Sequence, residues 1–244
     1  MNVVINQPCY LPWRGYFALI MSADVFVFYD DVQLPQGRSF QTRVQIKTRY
    51  GKKWLTVPLI RARKKNQLIL EAQIHEQSKW RKKHYRAIQD SLSLCLYWTT
   101  YEPMIREWYN YTWNGLADLT IQTTLDIVTS LGIKTKFLKS SELDIKGGKT
   151  ERLVEICKCL GATKYISPTG SLKYMQHELF EDVGIEVEYM NYDNSPYSQA
   201  FGSFDPFVTI LDLLANLGPD ANHHIKAATI PWRQIVALQF KNEK

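Results

Sequence analysis

The residue types most able to bind or transform a ligand crowd into positions 7–16, Gln7-Pro-Cys-Tyr-Leu-Pro-Trp-Arg-Gly-Tyr16. Tyr10, Trp13 and Tyr16 offer flat surfaces for a base or sugar ring, Arg14 offers a cation for phosphate, and Gln7 offers an amide. Gly15 stands alone in this stretch, so it is not a glycine-rich phosphate loop. A second group is Asp30-Asp31 with Gln33 close behind. Its carboxylates can act as a base, hold a metal or accept from ribose hydroxyls. Adjacent residues leaving a strand point to opposite sides, so one of the two aspartates is expected to face a site. Ser167-Pro-Thr-Gly170 is a third candidate loop. His84 shares a helical face with Trp80 and Ile88, beside a run of cations. It has the best context for proton transfer among the histidines, although a satisfied core histidine is the commoner use of such a position. Tyr197 and Gln199 can line a pocket wall. No serine sits in a nucleophile elbow, and Cys157 and Cys159 have no nearby histidine pair to complete a zinc site.

The surrounding pattern says what must hold these groups. Val3-Val4-Ile5 is stopped by Gln7-Pro8, and a helix is expected from Gly15 to Ser22. Val25 to Tyr29 is continuously apolar, as in a parallel strand buried on both faces. About twenty residues separate the two strands, enough for a right-handed crossover. Parallel strands put Gln7 and Asp30 on the same edge, where open α/β sheets bind ligands. Trp54 to Pro58 reads as a strand, and Leu68 to Ile74 as strand or helix. A helix starts near Ser78, and another helical stretch runs from about Pro103 to Leu131. Strands at 133–138, 164–167 and 185–190 then alternate with helices at 151–160 and 172–183, the last strand half-exposed or at an edge. Asp205-Pro206 is expected to start a helix through about Asn216, ended by Gly218-Pro219. The expectation is a single α/β domain over 1–244. It has a mostly parallel, Rossmann-like sheet with helices on both faces and a helical insertion at about 78–131.

Composition is that of an ordinary globular protein: 244 residues, 45% apolar and 22% charged, with net charge +6. Basic residues concentrate between Arg38 and Lys65 and between Lys79 and Arg86. Such faces suit a phosphate-bearing ligand, a nucleic acid or an anionic surface, and equally ordinary solvated loops. The first residues lack a basic leader and no stretch is long enough for a membrane span. Cys9, Cys95, Cys157 and Cys159 show no disulfide framework, so reduced thiols in a cytoplasmic protein are expected.

Gln7-Pro-x-Tyr-Leu-Pro-Trp-x-Gly-Tyr-Phe17, Ala23 to Phe28 and Asp30-Asp-Val-Gln33 resemble the opening of the WbqC-like family. The resemblance continues through Thr42-Arg43, Ile46-Lys47, Trp54 to Pro58, Lys83-His84, Thr150 to Leu160, the 167–170 loop, Tyr197-x-Gln199, Ile210 to Leu213 and Asn216-x-Gly218. It departs at Val44, where asparagine is expected after the arginine, and in the small polar residues of 167–171. The resemblance implies a protein of bacterial O-antigen or other surface-polysaccharide clusters. Its implied activity is transfer of glycine or a related acyl group onto an amino sugar.

That activity needs a base for the attacking amine and donors for the tetrahedral oxyanion. Asp30, Asp31 and His84 are candidate bases. Gln7, Tyr10, Trp13, Arg14, Tyr16, Gln33, Arg43, Lys47, Ser167, Gly170, Tyr197 and Gln199 are the candidate substrate-binding set. No metal or fixed cofactor is called for. The partners would be a nucleotide-linked amino sugar and a small acyl or amino-acid donor, carried as an acyl thioester, an aminoacyl-tRNA or an ATP-derived adenylate. Two alternatives are a non-catalytic tRNA- or nucleotide-binding module and a metal-dependent glycosyltransferase. The aspartate pair lacks the Asp-x-Asp spacing usual in the latter.

Overall fold

The chain begins with the short β-branched run that becomes β1 (Asn2–Asn6), and α1 (Arg14–Met21) carries it to β2 (Val25–Phe28). The computed structural model describes residues 1–60 and 66–242, with side chains to 237. The basic residues Arg61, Arg63, Lys64 and Lys65 lie outside the described residues. After β2 come a hairpin of β3 (Arg43–Thr48) and β4 (Gly51–Thr56), then α2 (Trp80–Leu92), α3 (Trp98–Asn110) and α4 (Leu116–Ser130). The chain returns through β5 (Lys136–Lys139), α5 (Lys149–Cys159), β6 (Lys164–Ser167), α6 (Glu178–Glu181) and β7 (Glu186–Tyr192). It ends with α7 (Ile210–Leu217), β8 (Ala227–Pro231) and α8 (Trp232–Asn242).

The main sheet has the order β5-β2-β1-β6-β7-β8, parallel except for β8, which runs antiparallel to β7. From β1 the chain builds outward through β2 and β5 on one side, then crosses back to build through β6 and β7 on the other. This is the doubly wound, Rossmann-like order, and its direction reverses between β1 and β6. The alternation of side chains divides the core in two. Val4, Phe26 and Phe28 face Phe17 and Ile20 of α1, Leu119 of α4 and Leu213 of α7. Val3, Ile5, Val25 and Val27 face Val154 and Ile156 of α5 and Phe180 of α6. Both faces of β1 and β2 are therefore apolar because both are covered. Each such buried side chain contributes ~1.5–3 kcal/mol relative to exposure.

The β3–β4 hairpin stands apart as a two-stranded sheet. The expected helix from Pro103 to Leu131 is instead α3, which contains Pro103, and α4, separated at 111–115. Among the described residues no helix is long and apolar enough to cross a membrane.

Other expectations are corrected by tertiary contacts. The stretch 172–183 is not one helix. Met175 is buried and the Gln176 N–H donates to Thr150 Oγ1 (3.3 Å), which pulls the chain onto the start of α5 and leaves only the short α6. The helix expected from Asp205 does not begin there. That carboxylate pairs with Lys52 (2.9 Å) and accepts from the Phe207 N–H, and Thr209 is the N-cap of α7 instead. Strand β7 is not an edge, because β8 pairs along its outer side and Glu188 is buried beside Lys164 (2.6 Å). His177, which ordinary polarity would place at the surface, is buried, bonded to Tyr189 Oη (2.8 Å) and stacked on Trp232 (4.3 Å between ring centroids).

Candidate active site

The reversal between β1 and β6 forces the loops after these strands to leave in opposite directions, opening a crevice at their carboxyl ends. A cavity of about 920 Å³ fills it. Asn6 and Gln7 reach it from the end of β1, Tyr29, Asp31 and Gln33 from beyond β2, Ser167 from the end of β6, and Gly147 to Arg152 from the start of α5. A second cavity of about 240 Å³ adjoins it, sharing Asn6 and Pro168. The second chamber is aromatic, walled by Tyr10, Trp13, Tyr16, Phe40, Tyr192 and Phe207, with Arg43 and Gln41 also on its lining. A further cavity, about 630 Å³, lies between α3 and α4 and contains none of these residues.

At the end of β1 two side-chain amides are fixed. Asn6 Oδ1 accepts from the Gln7 N–H (3.0 Å), and Gln7 Oε1 accepts from Gln41 Nε2 (2.7 Å). Their carbonyl halves are thereby engaged, leaving their NH₂ groups as donors. Gln7 O also accepts from Tyr16 Oη (3.0 Å), which ties the loop to the core.

The two aspartates separate as the strand geometry requires. Asp30 is buried and turns away, accepting from Ser141 Oγ (2.8 Å) and the Ser141 N–H (3.1 Å). Asp31 lines the cavity and forms a bidentate pair with Arg152, whose Nη1 lies 3.0 Å from Oδ1, while Ser140 donates to the same carboxylate. Burial alone would raise the Asp31 pKa, but the Arg152 and Ser140 hydrogen bonds outweigh it and hold the carboxyl below its ordinary value. Asp31 is therefore a committed anion and a weak base. Neither carboxylate is poised to hold a metal, and among the described residues no cluster of three His, Cys, Asp or Glu side chains could do so.

Helix α5 opens on the cavity with Gly147-Gly148-Lys149-Thr150. Its N-cap, Gly148, has no side chain to cap the first turn, so the first N–H groups of a turn that lines the crevice lack an intrahelical acceptor. Lys149 is exposed there and has φ +50°, a left-handed backbone that costs about 1–3 kcal/mol in a non-glycine residue. Sequence reasoning missed this segment and Asn6. The available signal was two glycines, a lysine and a threonine just ahead of an amphipathic helix.

Several expected binding residues build walls or supports instead. Arg14 is buried and donates to Ser195 O (2.8 Å) and His224 O (3.3 Å), with its guanidinium 5.5 Å from the ring centroids of both Tyr197 and Phe204. It clamps the segment after β7 and lines neither chamber. Lys47 is buried with Nζ on Gln199 Oε1 (3.0 Å) and Ser203 O (2.6 Å). Gln199 in turn donates to Tyr197 Oη (2.9 Å), and Tyr197 donates to Asp212 (2.7 Å). Lys47, Tyr197 and Gln199 thus form one buried network behind the aromatic chamber. Gly170 is exposed and off the lining, whereas Ser167 lines the crevice and bonds to Ser171 Oγ (2.8 Å).

His84 also lies off both linings. Its Nδ1 is 2.9 Å from Tyr10 Oη, which also bonds to Tyr109, and the Thr56 backbone is its other polar neighbour. Burial pushes its pKa down to about 4, so the ring is neutral at physiological pH. Cys9 lines the aromatic chamber, but burial pushes its thiol up to about 12, far from a thiolate nucleophile.

Fold and crevice together define an α/β protein of the Rossmann-like type with an open crevice at the switch point. The sequence profile of the WbqC-like protein family matches residues 7–224. A protein of Mycobacterium tuberculosis (strain ATCC 25618 / H37Rv), named Uncharacterized protein Rv1507c, is 34% identical over 227 residues, 92% of this chain and 97% of that protein. No solved structure matches significantly. The chain belongs to the WbqC-like protein family.

Proposed function

We propose that this chain is a transferase forming an amide between a small acyl group, aminoacyl included, and the amino group of a nucleotide-linked amino sugar. The pathway proposed is that of bacterial O-antigen or a related surface polysaccharide, and the compartment is the cytoplasm, where nucleotide sugars are made. One observation carries the reading. The 920 Å³ crevice at the switch point combines an uncapped helix start and Lys149 with tyrosine rings and amide donors. A helix N-terminus beside a lysine suits a diphosphate. Tyr174, 71% exposed at the rim, suits stacking on a base. The left-handed Lys149 fits the same reading, since such strain gathers at functional sites.

In this reading the sugar amine reaches the neck between the chambers, near Asn6. Its nitrogen lone pair forms the new C–N bond to the acyl carbon. Asn6 Nδ2 and Gln7 Nε2 donate to the carbonyl oxygen as it gains charge. The bond to the donor's leaving group then breaks, and that group departs with its electron pair. The amine proton passes to Glu151, a cavity carboxylate that forms no ion pair among the described residues. Asp31 is assigned to positioning α5 through Arg152, and neither His84 nor Asp30 takes part in proton transfer. No covalent acyl-enzyme is invoked, consistent with the unreactive Cys9. The donor is an activated acyl compound, of the thioester, adenylate or aminoacyl-tRNA class.

The test is incubation with UDP- and dTDP-linked amino sugars, followed by thermal unfolding. Millimolar sugar nucleotide is expected to raise the melting temperature, more than the corresponding free sugar does. No stabilisation by any member of the panel would remove the reading.

A further inference from the structure

The aromatic chamber differs in kind from the crevice it adjoins. At about 240 Å³ it falls below the ~300–1,000 Å³ of sites for whole drug-sized ligands, yet exceeds the ~150 Å³ that accepts a benzene ring. It therefore has room for one ring or a short chain. Its walls are the rings of Tyr10, Trp13, Tyr16, Phe40, Tyr192 and Phe207.

One charged group, Arg43, interrupts these walls. Its guanidinium lies 3.7 Å over the Trp54 ring, and it has no salt bridge or side-chain hydrogen bond among the described residues. Its Nε is buried without a partner. Arg43 is half-buried at the edge of the chamber and has no carboxylate partner among the described residues, so an acceptor oxygen on a ligand in the chamber would supply its counter-charge. Arg81 and Arg152, by contrast, are each paired with a carboxylate, Glu76 and Asp31, and Arg14, whose Nε is likewise buried without a partner, donates its terminal nitrogens to backbone carbonyls.

Trp13 sets the shape of the chamber. A Cβ on Gly15 would lie 2.2 Å from the Trp13 ring, so the indole packs flat on that glycine. Its other neighbours are Tyr192 (4.9 Å between centroids) and Phe207 (5.2 Å). Any side chain at 15 displaces the indole towards those two rings and into the chamber.

We propose that the aromatic chamber is a second binding site, which takes a flat ring or short chain bearing a carboxylate or carbonyl oxygen, with Arg43 as its counter-charge. On the reading under Proposed function, from which this follows, the occupant is the acyl group to be transferred. It meets the sugar amine at Asn6 and Pro168. Arg43 then favours an acyl group that is anionic or neutral, which narrows the acyl groups of the proposed reaction to those without a free ammonium, an aminoacyl group among them only when its amine is blocked.

The experiment is ligand-observed NMR titration of the full chain with benzoate, benzyl alcohol and benzylamine, which share a ring and differ in charge. Benzoate is expected to bind about tenfold or more tightly than benzylamine. Arg43→Gln should weaken benzoate by a similar factor while changing benzyl alcohol little. Gly15→Ala should abolish binding of all three, with thermal melts confirming that each variant is folded. Equal binding of benzoate and benzylamine, no binding of benzoate, or benzoate binding unchanged in Arg43→Gln would overturn the proposal. Nucleotide-sugar binding is read separately. Its failure beside a charge-selective chamber would remove the transfer reaction and leave this site standing.

Discussion

Replacing His84 by glutamine isolates a pH dependence that the structure makes quantitative. His84 is buried against Tyr10 and the Thr56 backbone, with its pKa pushed down to about 4 from an ordinary 6.5. The unfolded chain therefore takes up a proton below about pH 6.5 that the folded chain refuses until about pH 4. Stability from keeping this ring neutral is fully present above 6.5, falls with pH, and is gone near 4. That interval corresponds to roughly 3 kcal/mol at most. Glutamine retains an acceptor for the Tyr10 hydroxyl but does not titrate. Urea unfolding of both proteins at pH 7 and pH 4.5 is the assay. Wild type should lose about 2–3 kcal/mol more than His84→Gln between these pH values, because all other titrating groups are common to both. Parallel losses in the two proteins, or a His84 NMR titration midpoint near 6.5, would refute the reasoning. The same result bears on mechanism, since a histidine neutral down to about pH 4 and off both cavity linings is a support for the Tyr10 loop.

Asp31→Asn leaves the buried Arg152 guanidinium without its carboxylate. Because one oxygen still accepts, a loss of about 2 kcal/mol is expected, or about 4–8 °C in melting temperature. The folded pKa of Asp31 lies below its unfolded value, so the pair stabilises above about pH 4 and fades as pH falls through the depressed value. The gap between Asp31→Asn and wild type should therefore close in acid, as followed by calorimetry. Arg14→Ala removes two charge-assisted bonds to backbone carbonyls and the packing against Tyr197 and Phe204. It should cost about 2–4 kcal/mol in urea unfolding while leaving the salt dependence of ligand binding unchanged. Glu151→Gln, in the amide-forming assay, should lower kcat by about 10²-fold or more with little change in sugar-nucleotide affinity.

How much of this was legible in the chain depended on whether the signal was local. Val3 to Ile5 and Val25 to Tyr29 announced a doubly covered parallel pair because burial on both faces leaves no polar alternation. The same logic put Gln7 and one of the two aspartates on a common edge, and Asp31 is the one that faces the cavity. What local pattern could not reveal is how remote segments spend a polar group. Arg14, Lys47, Tyr197 and Gln199 have the chemistry of ligand contacts, yet each satisfies a buried group across at least one fold crossing. The alternation of Glu186 and Glu188 suggested an edge because the chain does not say that Lys164 waits beside Glu188 or that β8 returns to cover it. Gly147 to Thr150 was overlooked for a different reason. Its chemistry lies in backbone N–H groups, which every residue but proline possesses, and only the fold brings this helix start to the crevice.

The central claim is that the start of α5 holds the anionic part of a ligand in the switch-point crevice, and Gly148→Asp tests it directly. Gly148 has extended backbone (φ −155°) and open space where a Cβ would go, so aspartate fits. As N-cap its carboxylate would accept from the free N–H groups of the first turn and stabilise the helix by a few tenths of a kcal/mol over glycine. The same carboxylate would occupy and repel the phosphate position. Isothermal titration with a UDP-linked amino sugar should show affinity falling about tenfold or more while the unliganded protein melts no lower than wild type. Undiminished affinity in a folded Gly148→Asp protein would contradict the account.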